Sequence, residues 1–291
     1  MTSHAQVPTV LVQNDHLSIF FATRNASGKS QVALIEVDKH DPTKIIYLHP
    51  RPVLGLGRPG TFDDDGTMPS DVVLVNGEIW LYYSGWNQRV RVPYHNSMGL
   101  AVSRDGGRTF VRKFEGPILD RTAAEPYVAV TPSVMREGAT WHMWYVSGTR
   151  WEQIDGKYEP IYVIKYCHSS DGINWERPNL TCIEPRDEYE AFSRPHVTKR
   201  GQTYRMRYCF RGSRDFRDGK NSYRMGYAES QDGLRWERKD DQAGIGVSDH
   251  GWDSTMVCYP YQYSVKDTIH LVYNGNGFGR SGFGYAVWQD S

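Results

Sequence analysis

Long apolar runs are missing from this 291-residue chain. No window comes near the ~20 consecutive apolar residues of a membrane-spanning helix, and the N-terminus MTSHAQVPTV has neither the basic patch nor the apolar run of an export signal. The sequence thus predicts a cytoplasmic protein with no membrane partner. Surplus charge is missing too: 34 Lys and Arg face 34 Asp and Glu, so no broad basic surface for nucleic acid is expected. Cysteine is scarce. Cys167, Cys182, Cys209 and Cys258 stand without CxxC or Cys/His metal spacing, which predicts buried free thiols rather than disulfides or a zinc site. No cofactor is expected, and His4, His95, His168 and His196 lack the spacing of metal ligands. No segment carries a 3.6-residue apolar period, which argues against helices. What the chain does have is aromatic residues, 13% of the total with 19 Tyr and 9 Trp, a composition suited to strands and sugar-stacking clefts.

The stretch SRPHVTKRGQTYRMRYCFRG, Ser193 to Gly212, reads as a β-hairpin: two alternating segments about a Lys-Arg-Gly-Gln turn. The same unit recurs at Pro8, Pro69, Pro132 and Pro260, in steps of 61, 63, 63 and 65 residues counted through Pro195. Each Pro is followed 11 or 12 residues later by an aliphatic residue of the second strand: Ile19, Leu81, Met143, Met206 and Leu271. A third segment keeps the same beat, as ALIEV, GLAVS, KYCHS, GYAES and GYAVW. In the middle three units it runs into SRDGGRTF, SSDGINW or SQDGLRW, Asp-Gly turns that open a fourth strand. Four antiparallel strands repeated radially make a propeller blade. The expectation is therefore an all-β, five-bladed β-propeller in one domain, with blades near 1–62, 63–124, 125–187, 188–251 and 252–291. The last blade is expected to be short or three-stranded.

In such a blade the loop leading into the first strand and the loop leaving the second share one face, and function should gather there. Unit one supplies His4, Arg24 and no acid. Unit two supplies Asp63, Asp64 and Asp65, with Trp86 after its second strand. Unit three supplies Glu125, then Ser147, Arg150 and Trp151, and unit four supplies Glu188, Glu190, Arg194, His196 and Arg211. Unit five supplies Trp252, Asp253, Asn274 and Asn276. Four of the five units place a carboxylate four to seven residues before the motif Pro, which predicts an acid-lined axial pocket. Polar lead-in loops, a solvated Asx turn at DDDG and inter-blade packing of the Trp residues are the alternatives. Paired carboxylates of this kind suit glycoside hydrolysis, one acid protonating the leaving oxygen and the other activating water or attacking the sugar. The leading pair is Glu190 as acid with one of Asp63, Asp64 or Asp65 as base, and Asp253 or Glu125 positioning. Trp86, Trp151 and Trp252 would stack on sugar rings, while Arg24, Arg150, Arg194 and Arg211 would either pair with these acids or receive a phosphate- or carboxylate-bearing sugar.

With acids at the starts of inner strands, the chain resembles the five-bladed glycosidase superfamily of β-xylosidases and arabinanases, invertase-type fructosidases and mannoside phosphorylases. MGLAVSRDGGRTF, EGPILD, SRPHV, GYAESQDGLRWER, GWDSTMVCYP and YNGNGFGRSGFGYA are similar to a group of such proteins often encoded with surface-polysaccharide or natural-product pathways. The resemblance implies a carbohydrate-active enzyme acting on a glycoside or activated sugar. It also implies a base Asp on the first inner strand, where this sequence has Val7 and Pro8, and an acid near Glu190. A non-catalytic glycan- or protein-binding propeller, or a non-hydrolytic phosphorylase or transferase, is the alternative. SRDGGRTF further matches the Asp-box turn of sialidases, whose six blades the repeat count does not supply.

Overall fold

The computed structural model of the chain describes residues 2–289, and for 288–289 the backbone alone. Met1, Asp290 and Ser291, the outer limits of the expected first and last units, lie outside the described residues. The architecture is an all-β propeller of antiparallel meanders. The first comprises β1 (Ser3–Val12), β2 (His16–Arg24), β3 (Ser30–Asp38) and β4 (Ile45–Leu48). The second comprises β5 (Gly66–Val75), β6 (Glu78–Gln88), β7 (Tyr94–Ser103) and β8 (Val111–Arg112). β9 (Ala129–Glu137), β10 (Thr140–Ile154), β11 (Lys157–Ser169) and β12 (Glu176–Thr181) form the third. β13 (Ala191–Arg200), β14 (Thr203–Arg211), β15 (Arg224–Ser230) and β16 (Glu237–Arg238) form the fourth. β17 (Cys258–Val265), β18 (Thr268–Asn274) and β19 (Phe283–Gln289) form the last, three-stranded among the described residues. A single parallel bridge, Ser30 to Gly66, links the first two sheets. The first strands touch in a cycle, β1 to β5 to β9 to β13 to β17 and back to β1.

Each motif Pro sits in, or for Pro69 directly beside, a β-bulge of its first strand. The register slips between Gln6 and Thr9, Pro69 and Asp71, Ser193 and His196, and Cys258 and Tyr261, and in β9 opposite Trp144 and Val146. Proline has no N–H for a ladder bond and is tolerated in a sheet at such an edge or bulge. In four meanders the residue before it has positive φ: Val7 at 51°, Thr131 at 51°, Arg194 at 44° and Tyr259 at 56°. For β-branched Val7 and Thr131 that is a strained position, held by the surrounding ring.

Adjacent first strands do not pair as sheet neighbours, so side chains tie them together. Val134 N donates to Asp71 Oδ2 at 2.7 Å, Val197 N to Ser133 Oγ at 3.0 Å, and Gln262 N to His196 Nδ1 at 3.2 Å. The ring closes through Asn274, whose Oδ1 accepts Val7 N at 2.8 Å and whose Nδ2 donates to Ala5 O and Gly282 O. The second-strand aliphatics Ile19, Leu81, Met143, Met206 and Leu271 are all buried, packing between meanders. The Asp-Gly turns hook onto the preceding meander: Tyr82 Oη donates to Gly172 O at 2.9 Å and Trp144 Nε1 to Gly233 O at 2.7 Å. All four cysteines are free and buried. The described helical elements are one four-residue turn, Asn276–Gly279, and a 3-10 turn, Asp240–Gln242. Among the described residues no helix is long and apolar enough to cross a membrane, which says nothing of β-barrel spans.

Candidate functional site

The four lead-in acids are buried, and three of them are held by an arginine from the fourth strand of their own meander. Asp63, 0% exposed, accepts from Arg112 Nε at 2.8 Å, Tyr83 Oη at 3.0 Å and Thr61 Oγ1 at 3.0 Å. Glu125 accepts from Arg177 Nε at 3.0 Å, Ser147 Oγ at 2.7 Å and Tyr145 Oη at 3.0 Å, with Lys165 Nζ 3.9 Å away. Burial pushes the Glu125 carboxyl up, but Arg177 and Ser147 outweigh it and hold it below the ordinary value. Glu190 accepts both guanidinium nitrogens of Arg238, at 2.7 and 2.8 Å, and Arg186 N at 2.6 Å. Asp253 accepts from Tyr273 Oη at 2.9 Å.

The second-strand tyrosines Tyr83, Tyr145 and Tyr273 bond these acids directly. Their counterpart Tyr208 bonds Asp240, which the same Arg238 also holds. Unit one has no lead-in acid, and the matching position there is Phe21. Acid and hydroxyl are therefore present together or absent together, as expected for a group that fixes a loop to its meander. The arginines were not singled out from the sequence, although Phe110-x-Arg112, Trp175-x-Arg177 and Trp236-x-Arg238 repeat after each Asp-Gly turn.

The other two acids of unit two differ from each other. Asp65 pairs with Lys29 at 2.7 Å and accepts Gln88 N at 2.8 Å, and these bonds, Lys29 first, lower its pKa. Asp64 accepts Gly60 N at 2.8 Å through Oδ2, while its buried Oδ1 has no partner.

The remaining sequence candidates are dispersed. Arg194 is 1% exposed and reaches across the axis to Pro8 O and Thr9 Oγ1, both at 2.8 Å; burial lowers its pKa to about 10. His196 stacks on Tyr261 with ring centroids 4.0 Å apart, and burial, then Arg194 and Arg207, lower its pKa to about 3. Both fill the centre of the strand ring. Arg150 sits at the rim on Glu152, at 2.9 Å, and on Glu188 O. Arg211 is buried against Tyr223 Oη at 3.4 Å and Pro160 O at 2.8 Å, so Arg150, Arg194 and Arg211 share no bonding partner. Trp86 Nε1 donates to Ser30 Oγ at 2.7 Å across the first two meanders. Trp252 packs on Tyr273 at 5.2 Å and covers Gly275 and Gly284. Asn274 is the ring latch, and Asn276 accepts Thr255 N and Met256 N within the last lead-in loop.

What remains on the upper face is a belt of tyrosines with two guanidiniums. Tyr94 Oη and Tyr162 Oη are 2.7 Å apart, and Trp151 meets the Tyr94 ring edge-on at 5.3 Å. Tyr223 lies 5.9 Å from Tyr259, whose hydroxyl has no hydrogen-bond partner among the described residues. Tyr223, Tyr162 and Tyr94 all couple electrostatically to Arg211, and Tyr259 to Arg24. Arg24 itself is held by Gln6 Oε1 at 3.2 Å and Gly28 O at 3.2 Å, with no acid. Each meander contributes to this belt. It brings together aromatic rings, hydroxyls and two cations, of which Tyr162, Tyr223 and Arg211 are themselves buried, while Tyr94, Trp151 and Tyr259 are half-buried and are the members placed to meet a sugar. Beside it, His95 Nε2 lies 2.8 Å from the part-exposed Asp120 carboxylate. The Asp120 pKa falls to about 2: burial opposes the shift, and the bond to His95 outweighs it. Tyrosines at 94, 162, 223 and 259 carry no distinctive spacing in a chain with 19 of them, which is why sequence reasoning passed them over. Among the described residues no cluster of His, Cys, Asp and Glu could hold a metal ion.

No protein-family model matches the chain. It is 34% identical over 290 residues to the uncharacterized protein Rv1502 of Mycobacterium tuberculosis, an alignment covering 99% of this chain and 93% of that one. Its fold is similar to that of a solved glycoside hydrolase, with a TM-score of 0.77 at 18% identity over 99% of this chain and 88% of the other. It is also similar to a structure from the GH130 family of mannoside phosphorylases, described as containing glycoside hydrolases that target β-1,2 mannosidic linkages in Candida mannan. There the TM-score is 0.70 at 16% identity over 99% of this chain and 84% of the other. The chain belongs to the family of Rv1502, and its fold is that of the β-propeller glycoside hydrolases.

Proposed function

We propose that the protein binds a glycoside on the tyrosine belt of its upper face and does not hydrolyse it through paired carboxylates. Each meander would then be one blade of a single five-bladed domain, with the lead-in acids serving as blade locks. The observation that carries this reading is the saturation of Asp63, Glu125 and Glu190 by Arg112, Arg177 and Arg238 within their own meanders. Two-carboxylate hydrolysis needs an acid and a base facing one sugar, about 5–5.5 Å apart for retention or about 6.5–9.5 Å for inversion. A carboxylate whose oxygens are occupied by a guanidinium fork and neighbouring hydroxyls or N–H groups is turned to its own meander rather than to a bound sugar. The fold neighbours named for sugar chemistry support a carbohydrate ligand, as do the half-buried Tyr259, whose hydroxyl has no hydrogen-bond partner among the described residues, and the edge-on Trp151.

A non-hydrolytic enzyme is the second reading. One observation favours it: Asp64 Oδ1, buried and unpartnered, is a single oxygen able to protonate a leaving group while an incoming anion, rather than water, attacks. The test is calorimetric titration with a panel of methyl and aryl glycosides, alongside turnover of the aryl glycosides with and without phosphate. Binding that is lost in Tyr259→Ala, without turnover, supports the first reading. Phosphate-dependent turnover lost in Asp64→Asn supports the second. Turnover without phosphate, abolished by Glu190→Gln in a protein of unchanged stability, refutes both.

A further inference from the structure

A second concavity opens beside the belt on the same face. It is a cleft of about 450 Å³ lined by the loop 89–93 between β6 and β7, the turn and strand start at 156–159 between β10 and β11, and Arg217 from the loop between β14 and β15. Its charged lining is Arg89, Arg91, Lys157 and Arg217 against one carboxylate, Glu159. Arg217 already holds that carboxylate with Nη2 at 2.8 and 3.0 Å from its two oxygens. No side-chain partner is found among the described residues for Arg89, Arg91 or Lys157. Three meanders thus bring cations to one hollow where each repels the others, a cost that a bound anion removes.

The cleft is continuous with the belt. Pro93 in its wall precedes Tyr94, and the Tyr94 hydroxyl feels the charges of Arg211, Glu159 and Arg217. The guanidinium of Arg217 packs on Phe216 at 4.7 Å, and Arg211 covers the same ring at 3.7 Å.

We propose that this cleft binds the diphosphate group of a glycosyl diphosphate whose sugar lies on the tyrosine belt. The excess of positive charge decides the class. A single carboxylate, as in a uronic acid, would leave most of it unbalanced, whereas a diphosphate carries two to three negative charges on oxygens that suit guanidinium forks. The substrate class rests on the glycoside reading for its sugar end only, because the cleft is tested without any sugar.

The probe is inorganic pyrophosphate, titrated into the full-length protein by calorimetry at low and at high salt. Methyl phosphate, tri-galacturonate and a nucleoside diphosphate serve as further arms. Pyrophosphate should bind more tightly than methyl phosphate or tri-galacturonate, and its affinity should fall with salt. Arg91→Ala and Lys157→Ala, both exposed, one in a loop and one at the first residue of β11, should each weaken it roughly tenfold. The nucleoside diphosphate arm identifies the carrier. Binding tighter than pyrophosphate points to a nucleotide-linked sugar, and equal binding to recognition of the diphosphate alone, as for a lipid-linked sugar; weaker binding than pyrophosphate would overturn the proposal. So would absence of pyrophosphate binding at low salt, preference for tri-galacturonate, or affinity unchanged in both variants. Tyr259→Ala separates the two readings: loss of neutral glycoside binding with pyrophosphate retained concerns the belt, and the converse concerns the cleft.

Discussion

Replacing Arg112 by Met should destabilise the protein more than any surface charge change, and the structure sets the scale. Asp63 is 0% exposed, accepts a hydrogen bond from Arg112 Nε at 2.8 Å and has Arg112 Nη2 at 2.8 Å as an ion-pair contact. Without them it keeps only the Tyr83 hydroxyl and that of Thr61, which also donates to Arg58 O at 2.7 Å. A buried carboxylate that loses its countercharge costs about 3–5 kcal/mol. Asp63→Asn removes the charge instead and leaves Arg112 with Gly55 O, at a cost of about 1–3 kcal/mol. The double variant should then be more stable than the sum of the two losses predicts, by ~1 kcal/mol or more. Urea unfolding followed by tryptophan fluorescence measures all three. Arg104→Met serves as control, since Arg104 is 81% exposed beside Glu78 and its loss should cost under about 1 kcal/mol. A deficit no larger than that of the control, or strict additivity with Asp63→Asn, would refute the idea that these acids are locks.

Three further outcomes follow from the same geometry. Burial raises the Asp71 pKa from 3.8 to about 6 against bonds from Val134 N, Tyr261 and Val72 N. The native state therefore holds a proton that the unfolded chain has lost between those values, and stability from this group falls as pH rises through that window. A shift from 3.8 to about 6 corresponds to ~3 kcal/mol; Asp71→Asn should gain that much relative to wild type between pH 4 and pH 7, and a flat difference would contradict it. Asn274→Ala leaves Val7 N and Ala5 O without their bonds at the ring closure and should cost roughly 2–4 kcal/mol in urea unfolding. Gly172→Ala puts a methyl 2.8 Å from Tyr82 Oη at φ +73°; a loss of roughly 2 kcal/mol is expected, and a neutral result would mean the turn is not hooked to the neighbouring meander.

The strand beat, the second-strand aliphatics and the Asp-Gly turns were readable because each depends on chemistry within a few residues. Val197 and Met206 face each other across one hairpin, and Ser230, Asp232 and Gly233 close their turn among themselves. The motif Pro marked the repeat correctly, but its physical meaning, a bulge with a positive-φ residue before it, depends on contacts around the ring. The partners of the acids were out of reach for a similar reason. Asp63 meets Arg112 at a separation of 49 residues, Glu125 meets Arg177 at 52, and Glu190 meets Arg238 at 48. The acid and the aromatic-x-Arg segment kept one beat, and the Phe21 exception in the acid-free unit completed the signal. The belt left no such trace, since Tyr94, Tyr162, Tyr223 and Tyr259 come from four units at unrelated offsets.

The central claim, that the upper face binds a sugar while the repeated acids only hold the blades, is tested most directly by Glu190→Gln. Glycoside affinity by calorimetry and stability by urea unfolding are to be measured on the same preparation. Unchanged affinity with a loss of about 1–3 kcal/mol, from the two Arg238 bonds weakened at a neutral amide while Arg238 keeps Asp240, is the predicted result. Unchanged stability with loss of glycoside turnover would contradict it.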